Sequence, residues 1–172
     1  MSGGAGSVRT VALIGPMGAG KSSIGRRLAK ALSRPFIDTD TVIAQQHGPI
    51  PEIFAQHGEE VFRRWEAEAV AQALDTPGAV VALGGGSVLD AGTRERLASA
   101  DVVLLMSTAE AVLARIKTGG RPLLAEDPGA WQRILDERRP LYESLATITV
   151  DTAGRPKDEV AAQLKEWVEE RA

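Results

Sequence analysis

Short apolar runs alternate along the chain with longer segments in which apolar residues recur at helical spacing. Five runs have the length and the β-branched character of strands; they are residues 8–14, 36–37, 79–83, 102–106 and 146–150. Four helical segments span residues 52–74, 91–98, 109–116 and 130–145. Two more begin at residue 21 and at residue 156. Strands that are apolar at nearly every position are typical of a parallel sheet covered on both faces. The pattern therefore predicts an α/β protein in which helices flank a five-stranded parallel sheet, giving three layers.

The organisation along the chain predicts a single domain. A length of 172 residues suits one hydrophobic core, and no internal repeat or linker divides the sequence. Residues 1–7 are rich in glycine and serine and lack the pattern of a signal peptide, so we expect a flexible tail. Residues 117–128 have the least core-like composition of the interior and predict a mobile loop.

Composition excludes several classes of function. Twenty basic residues against 23 acidic ones give no overall positive charge to hold a nucleic acid, and no apolar run is long enough to cross a membrane. The chain has no cysteine and only two histidines, which rules out thiolate chemistry and a histidine-based zinc site. Because the N-terminal residues lack the pattern of a signal peptide, we expect a cytoplasmic protein. No long exposed apolar stripe is evident, so we expect a monomer.

The clearest motif is a phosphate-binding loop. Residues 15–22 match G-x-x-x-x-G-K-[ST] between an apolar strand and a helix, which argues against a chance glycine-rich turn. In such a loop, backbone N–H groups and the helix N-terminus point at the β-phosphate, a lysine reaches the β- and γ-phosphates and a hydroxyl binds Mg²⁺. Nucleotide contacts are therefore predicted at Met17, Gly18, Ala19, Gly20, Lys21 and Ser22, with Ser22 also binding Mg²⁺.

The absence of asparagine narrows the reaction. Guanine-reading motifs and protein-kinase catalytic loops both need an asparagine, and the chain has none. The apolar strand at residues 79–83 ends in three glycines rather than in the acidic residue of an ATPase motor. These features favour a kinase that acts on a small molecule.

Two carboxylates follow the second strand and predict part of an acceptor site. Asp38 and Asp40 face the same way if the backbone there is still extended, and the carboxyl ends of parallel strands meet at the edge that holds the phosphate-binding loop. One could hold Mg²⁺ and the other could accept a hydrogen bond from the attacking hydroxyl. The alternative, equally weighted on this evidence, is that one of them only caps a helix beginning near Val42.

The triple glycine and three arginines complete the candidate site. Gly84, Gly85 and Gly86 favour close approach by a ligand or another backbone, although a simple flexible turn would also use glycine. Guanidinium groups bind carboxylates and phosphates through paired hydrogen bonds. Spacing alone does not distinguish Arg63, Arg121 and Arg138 from surface arginines.

Taken together, these segments resemble the shikimate kinase family. The order and approximate spacing agree for residues 15–23, 38–40, 62–66, 84–86, 121–124 and 138–142, and the match extends from about Thr10 to Trp167. The resemblance implies a nucleoside-monophosphate-kinase-like fold with a helical substrate-binding lobe at about residues 39–74 and a lid at about residues 117–128. It also implies ATP-dependent phosphorylation of the shikimate 3-hydroxyl on the route to chorismate.

Residue roles follow from the same resemblance. It places Asp40 on the ring hydroxyls as the base, Asp38 near Mg²⁺, and Gly85 against the substrate. Arg63 and Arg138 would bind the substrate carboxylate.

The resemblance also implies roles for two arginines in nucleotide binding. Arg121 would be the lid arginine on the ATP phosphates and would act in catalysis with Lys21 and Asp40. Arg155 would lie near adenine together with Pro156. The arginine that precedes the lid in the family is either Arg115 or has no equivalent here.

The residues by themselves, without the resemblance, are also compatible with other functions. A related kinase could act on gluconate or a nucleoside monophosphate, and a regulatory module could bind nucleotide without catalysis. Arg63 and Arg138 together with Asp40 suit a carboxylate polyol better than a nucleotide. Of the remaining residues, Phe54 and Phe62 are expected in the core of the helical lobe, although the place of Phe62 beside Arg63 leaves a pocket role open. His47 and His57 are expected to be exposed.

Overall fold

The computed structural model describes residues 8–119 and 127–172, and it has the predicted three-layer α/β architecture. The strands are β1 Val11–Ile14, β2 Phe36–Asp38, β3 Val80–Ala82, β4 Asp101–Met106 and β5 Ile148–Asp151. The helices are α1 Lys21–Leu32, α2 Thr39–His47, α3 Ile50–Leu74, α4 Ala91–Leu97, α5 Ala109–Gly119, α6 Pro128–Leu145 and α7 Lys157–Arg171. A short 3-10 turn spans Ser87–Leu89. None of the helices in the described ranges is long and apolar enough to cross a membrane.

The sheet is entirely parallel, in the order β2-β3-β1-β4-β5. Alternate residues of each strand serve opposite faces, because successive side chains of a strand point to opposite sides. In β1, Val11 and Leu13 pack with α1 and α7, while Ala12 and Ile14 pack with α3, α4 and α6. Both faces of the central strands β1, β3 and β4 are therefore buried, which explains why these strands lack polar alternation, whereas the edge strand β5 exposes Thr149 and Asp151.

Three boundaries differ from the sequence prediction. The helix after β2 begins at Thr39 rather than near Val42. Helix α5 extends through Gly119 and so includes the first residues assigned to the lid, while α6 already begins at Pro128. The rest of the predicted lid, including Arg121, and the tail at residues 1–7 lie outside the described residues.

The segment 39–74 builds its own small core beside the sheet. Helix α3 is broken at Gly58, whose φ of 81° and ψ of 172° are not helical. Ile43 of α2 packs against Ile53 and Phe62 of α3 in a cluster separate from the two cores of the sheet. Only the last turns of α3, with Val70 and Ala73, join the sheet core. This arrangement holds α2 and the middle of α3 over the carboxyl ends of the strands.

Candidate active site

A cavity of about 600 Å³ lies at the carboxyl ends of the strands. One end of it is lined by the phosphate-binding loop. The other end is lined by residues of α2, α3, α6 and the glycines that follow β3; they include Asp40, Phe62, Arg63, Gly84, Gly85, Gly86, Arg138 and Tyr142. A single space thus connects a site for phosphate with a site for a second reactant.

The phosphate-binding loop is held in shape by its own backbone. Gly20 caps α1 with a φ of 97°, a left-handed conformation that a residue with a side chain rarely adopts. The ammonium of Lys21 donates to the carbonyls of Gly15 at 2.6 Å and Pro16 at 3.0 Å, so the lysine is folded over the loop. The first N–H groups of α1 point into the space that the loop encloses.

Two side chains from later helices support the same loop. The indole N–H of Trp131 donates to the Met17 carbonyl at 2.7 Å, and Arg115 donates to the Gly18 carbonyl at 3.0 Å. Both helices that flank residues 120–126 are therefore tied to the phosphate-binding loop. Sequence reasoning did not find the role of Trp131, because a tryptophan at helical spacing indicates a core position.

Ser22 and Asp38 form a pair of oxygen ligands beside this loop. The Ser22 hydroxyl donates to Asp38 Oδ2, while Asp38 Oδ1 accepts from the backbone N–H groups of Asp40 at 3.0 Å and Thr41 at 3.3 Å. The sequence analysis gave capping of a helix and a place in the metal site as alternatives for this pair of carboxylates. Asp38 combines them, because one of its oxygens caps α2 and the other faces Ser22. Because hydroxyl and carboxylate oxygens are hard ligands, the pair fits Mg²⁺, which takes few protein ligands and completes its shell with water and phosphate.

The helix that begins at Thr39 changes how Asp40 reaches the cavity. The condition under which Asp38 and Asp40 would face the same way, an extended backbone through both residues, is not met, because Asp40 lies in the first turn of α2. A carboxylate in the first turn is favoured there by the positive end of the helix dipole. Asp40 still lines the cavity, on the acceptor side.

Arg63 is held between two carboxylates of its own helix. Its Nη1 donates to Glu66 at 2.7 Å, and its Nε lies 3.5 Å from Glu59. Glu66 is 3% exposed, so its charge depends on this arginine for compensation. The pair fixes the direction in which the Arg63 guanidinium enters the cavity.

The triple glycine makes room for these side chains. A Cβ on Gly84 would lie 2.9 Å from Asp40 Oδ1 and 3.0 Å from Glu66 Oε2, and one on Gly86 would collide with the Arg63 guanidinium. The close approach predicted from the sequence is therefore made by the chain's own charged groups at Gly84 and Gly86. At Gly85 a Cβ would meet only ordinary contacts.

Tyr142 connects Gly85 to Arg138. Its hydroxyl donates to the Gly85 carbonyl at 2.6 Å. Burial raises the pKa of Tyr142, and the charge and hydrogen bonding of the adjacent Arg138, with the charge of Arg63, only partly oppose that rise. The hydroxyl therefore stays protonated and donates a hydrogen bond to the Gly85 carbonyl, while the Arg138 guanidinium lies against the same oxygen.

Most of the predicted site residues line this one cavity; they are Met17, Gly18, Gly20, Lys21, Ser22, Asp38, Asp40, Arg63, Gly85 and Arg138. Ala19 does not, since its side chain is buried in the core. Arg155 is also absent from the lining: it donates to Gln163 at 2.8 Å and Glu159 at 3.2 Å on α7. Lys157, which the sequence analysis passed over, lines the cavity instead.

The aromatic residues of α3 divide between cavity and surface. Phe62 packs in the small core, as expected, and also lines the cavity, the alternative that its place beside Arg63 left open. The rings of His47 and Trp65 stack with centroids 3.8 Å apart, and His57 meets the same indole edge-on at 5.2 Å. Both histidines are exposed, as expected.

A parallel sheet, a phosphate-binding loop after its central strand and an acceptor site on the same edge define a P-loop kinase of small molecules. A family model described as shikimate kinase matches residues 17–169. The chain belongs to the shikimate kinase family, and it is therefore a kinase with ATP as its co-substrate.

Relatives and solved structures agree with this assignment. The shikimate kinase of Streptomyces coelicolor is 44% identical over 166 residues, which cover 95% of this chain and 97% of the relative. The shikimate kinase of Mycobacterium avium is 52% identical over 149 residues, or 83% and 84% of the two chains. The structure of Acinetobacter baumannii shikimate kinase in complex with shikimate has a TM-score of 0.87 at 34% identity, covering 95% of this chain and 94% of the other. A gluconokinase from Sinorhizobium meliloti, with a TM-score of 0.64 at 22% identity, shares the fold alone.

Proposed function

We propose that the chain transfers the γ-phosphoryl group of ATP to the 3-hydroxyl of shikimate, giving shikimate 3-phosphate and ADP for chorismate and aromatic amino-acid biosynthesis. The observation that carries this proposal is the single cavity with a phosphate cradle at one end and two arginines with a carboxylate at the other. A carboxylate polyol needs cations at one end and a hydrogen-bond acceptor at the other. Arg63 and Arg138 supply the cations, and Asp40 supplies the acceptor.

The nucleotide is bound by backbone groups and by Lys21. The N–H groups of the phosphate-binding loop at residues 17–20 and the start of α1 surround the β-phosphate. Lys21 must leave the carbonyls of Gly15 and Pro16 to reach the β- and γ-phosphates, and this exchange replaces two neutral acceptors by charged ones. Ser22 and Asp38 are the residues that would hold Mg²⁺, which when bound neutralises charge on the transferred phosphoryl group.

The acceptor hydroxyl is prepared by Asp40. The carboxylate accepts the hydrogen of the 3-hydroxyl and takes the proton as the oxygen bonds to the γ-phosphorus and the bond from that phosphorus to ADP breaks. Gly85 lies against the ring, and Arg63 and Arg138 bind the carboxylate to hold the hydroxyl in line. Arg121, outside the described residues, is assigned to the phosphates during transfer, and Arg155 to the neighbourhood of adenine. We further propose a monomeric enzyme that works in the cytoplasm, where ATP is available.

The test is acceptor-dependent ADP release. The purified chain is given Mg²⁺ and ATP with shikimate, gluconate or AMP in separate reactions, and the product is analysed by phosphorus NMR for the position of the new ester. Turnover with shikimate alone, with the ester at the 3-oxygen, is the expected result. Turnover with gluconate or AMP but not shikimate would overturn the roles of Arg63, Arg138 and Asp40, and ATP binding without turnover would favour a regulatory module.

A further inference from the structure

Lys157 is a cation on the wall of the cavity. It is the first residue of α7, is partly buried and lines the same space as Ser23 and Arg115 at the phosphate-binding loop. Within the described ranges, no carboxylate lies at ion-pair distance from its ammonium. The adjacent Asp158 is already engaged, accepting from Arg27 at 2.8 Å.

Everything around Lys157 disfavours its positive charge. Burial lowers the pKa of Lys157, and the charges of Arg115 and Arg27 lower it further. The first turn of a helix also carries the positive end of the helix dipole, where a cation is unfavourable. A lysine with only a structural role gains nothing from this position, whereas an anionic ligand in the cavity would offset all three costs.

The positions of the lining residues indicate which part of the nucleotide reaches Lys157. The γ-phosphoryl group must face the acceptor end, where Asp40 and Arg138 lie. The β-phosphate occupies the phosphate-binding loop, so the α-phosphate and the nucleoside extend the other way. Arg115, which donates to the Gly18 carbonyl of the loop, and Lys157, whose pKa the Arg115 charge lowers, line the cavity beside the loop and not at the acceptor end. The anionic group on that side of the loop is the α-phosphate.

We propose that Lys157 binds the α-phosphate of the nucleotide and is a nucleotide-binding residue of this chain. The inference rests on the proposed function only in the orientation of ATP. The arginine two residues earlier, Arg155, is turned onto Glu159 and Gln163 of its own helix, which leaves Lys157 as the cation of this segment that faces the cavity. The contact also gives the enzyme a means of rejecting nucleosides that carry no phosphate.

The experiment compares Lys157→Met with wild type and with Lys165→Met by calorimetric titration. Lys165 lies on the same helix, away from the cavity, and is 3.8 Å from Glu169, so it is a matched control. Adenosine, AMP and ADP are titrated at constant Mg²⁺. We expect Lys157→Met to weaken AMP and ADP binding by about 10- to 100-fold, the effect of one hydrogen bond to a charged group, and to leave adenosine unchanged. Lys165→Met should match wild type throughout.

Other outcomes would overturn the assignment. Equal weakening of all three ligands would show a structural role, and weakening of ADP alone would place the contact at the β-phosphate. No change with any ligand would make Lys157 a surface residue. Lys157→Arg keeps the charge and should retain most of the AMP affinity, which provides a second test if the methionine variant folds poorly. Failure of the proposed acceptor would appear separately, as nucleotide binding without shikimate turnover in the wild-type chain.

Discussion

The two ends of the cavity are built in opposite ways. The phosphate end is continuous in sequence: residues 15–22 form the turn between β1 and α1, and their geometry follows from local glycine conformations and one helix N-terminus. The acceptor end is collected from distant elements, with Asp40 on α2, Arg63 on α3, Gly85 after β3 and Arg138 on α6. A site of the first kind can be recognised from a sequence motif, whereas a site of the second kind forms only when distant elements pack together.

The difference also affects how each end tolerates change. The cradle at the phosphate end is made of backbone, which Trp131 and Arg115 tie to later helices, so removing the Lys21 side chain leaves the cradle in place. A group at the acceptor end is supported by other side chains, as Arg63 is by Glu66 and Gly85 is by Tyr142. We therefore expect substitution of Lys21 to affect mainly the chemical step, and substitutions of Arg138 and Tyr142 at the acceptor end to affect binding or stability.

The largest expected effect is that of Lys21→Met. Lys21 is the cation that contacts the phosphoryl group during transfer. Removing it should lower kcat by about 10³-fold, comparable to the loss of one hydrogen-bond donor to the transition state. The melting temperature should change little, because the loop is shaped by its glycine conformations and by the contacts of Trp131 and Arg115 with its carbonyls. Steady-state kinetics and thermal unfolding measure both. Lys30→Met, an exposed lysine of the same helix, is the control, and a kcat near wild type for Lys21→Met would contradict the role.

Asp40→Asn tests the acceptor side of the chemical step. The amide keeps the shape but cannot take the proton, so kcat should fall by about 10²-fold while the KM for ATP stays within a factor of about two. Initial rates at varied ATP and shikimate give both constants. Asp136→Asn changes an exposed carboxylate on α6 and should behave as wild type. An unchanged kcat in the Asp40 variant would remove Asp40 from the reaction.

Arg138→Met should act on binding rather than on the chemical step. Losing a charged hydrogen bond to the substrate carboxylate should raise the KM for shikimate by about 30-fold with a smaller change in kcat. The neighbouring Arg139→Met removes an equal charge from an exposed position and should leave the KM unchanged. If the two variants gave the same KM, general electrostatics rather than a specific contact would explain the effect.

Tyr142→Phe should have the smallest effect on activity and the clearest effect on stability. The Gly85 carbonyl loses its donor, so we expect a loss of about 1–2 kcal/mol in urea unfolding and a rise of only a few fold in the KM for shikimate. Ser144→Ala, which removes an exposed hydroxyl bonded to the Leu141 carbonyl, is the control on the same helix. Unchanged stability would show that the hydroxyl does not hold the glycine.

The same variant has a signature at high pH. Because burial raises the pKa of Tyr142 in the folded state, the unfolded chain releases this proton first, and stability falls as the pH rises above about 10. The phenylalanine variant has no such proton, so its stability should fall less steeply over that range. Urea unfolding at pH 9 to 11 measures the two slopes, and equal slopes would contradict the pKa direction.

Much of the fold was readable from the sequence because its signals are local. Continuous apolar strands indicated the buried parallel sheet, and the five strands were found with errors of a few residues at their ends. The start of α2 was missed because Asp38 and Asp40 fit both an extended chain and a helix cap. The Gly58 break was missed because the apolar spacing continues on both sides of it.

The sequence by itself determined the parallel sheet, the phosphate-binding loop and, through the resemblance of several separate motifs, the family. These are properties of contiguous residues, whose backbone preferences and apolar spacing act over a few positions. Only the tertiary structure decided that Glu66 pairs with Arg63, that Tyr142 joins Gly85 to Arg138, and that Lys157 rather than Arg155 lines the cavity. The physical reason is that each of these roles depends on where a side chain points after distant elements have packed, and no local preference encodes that direction.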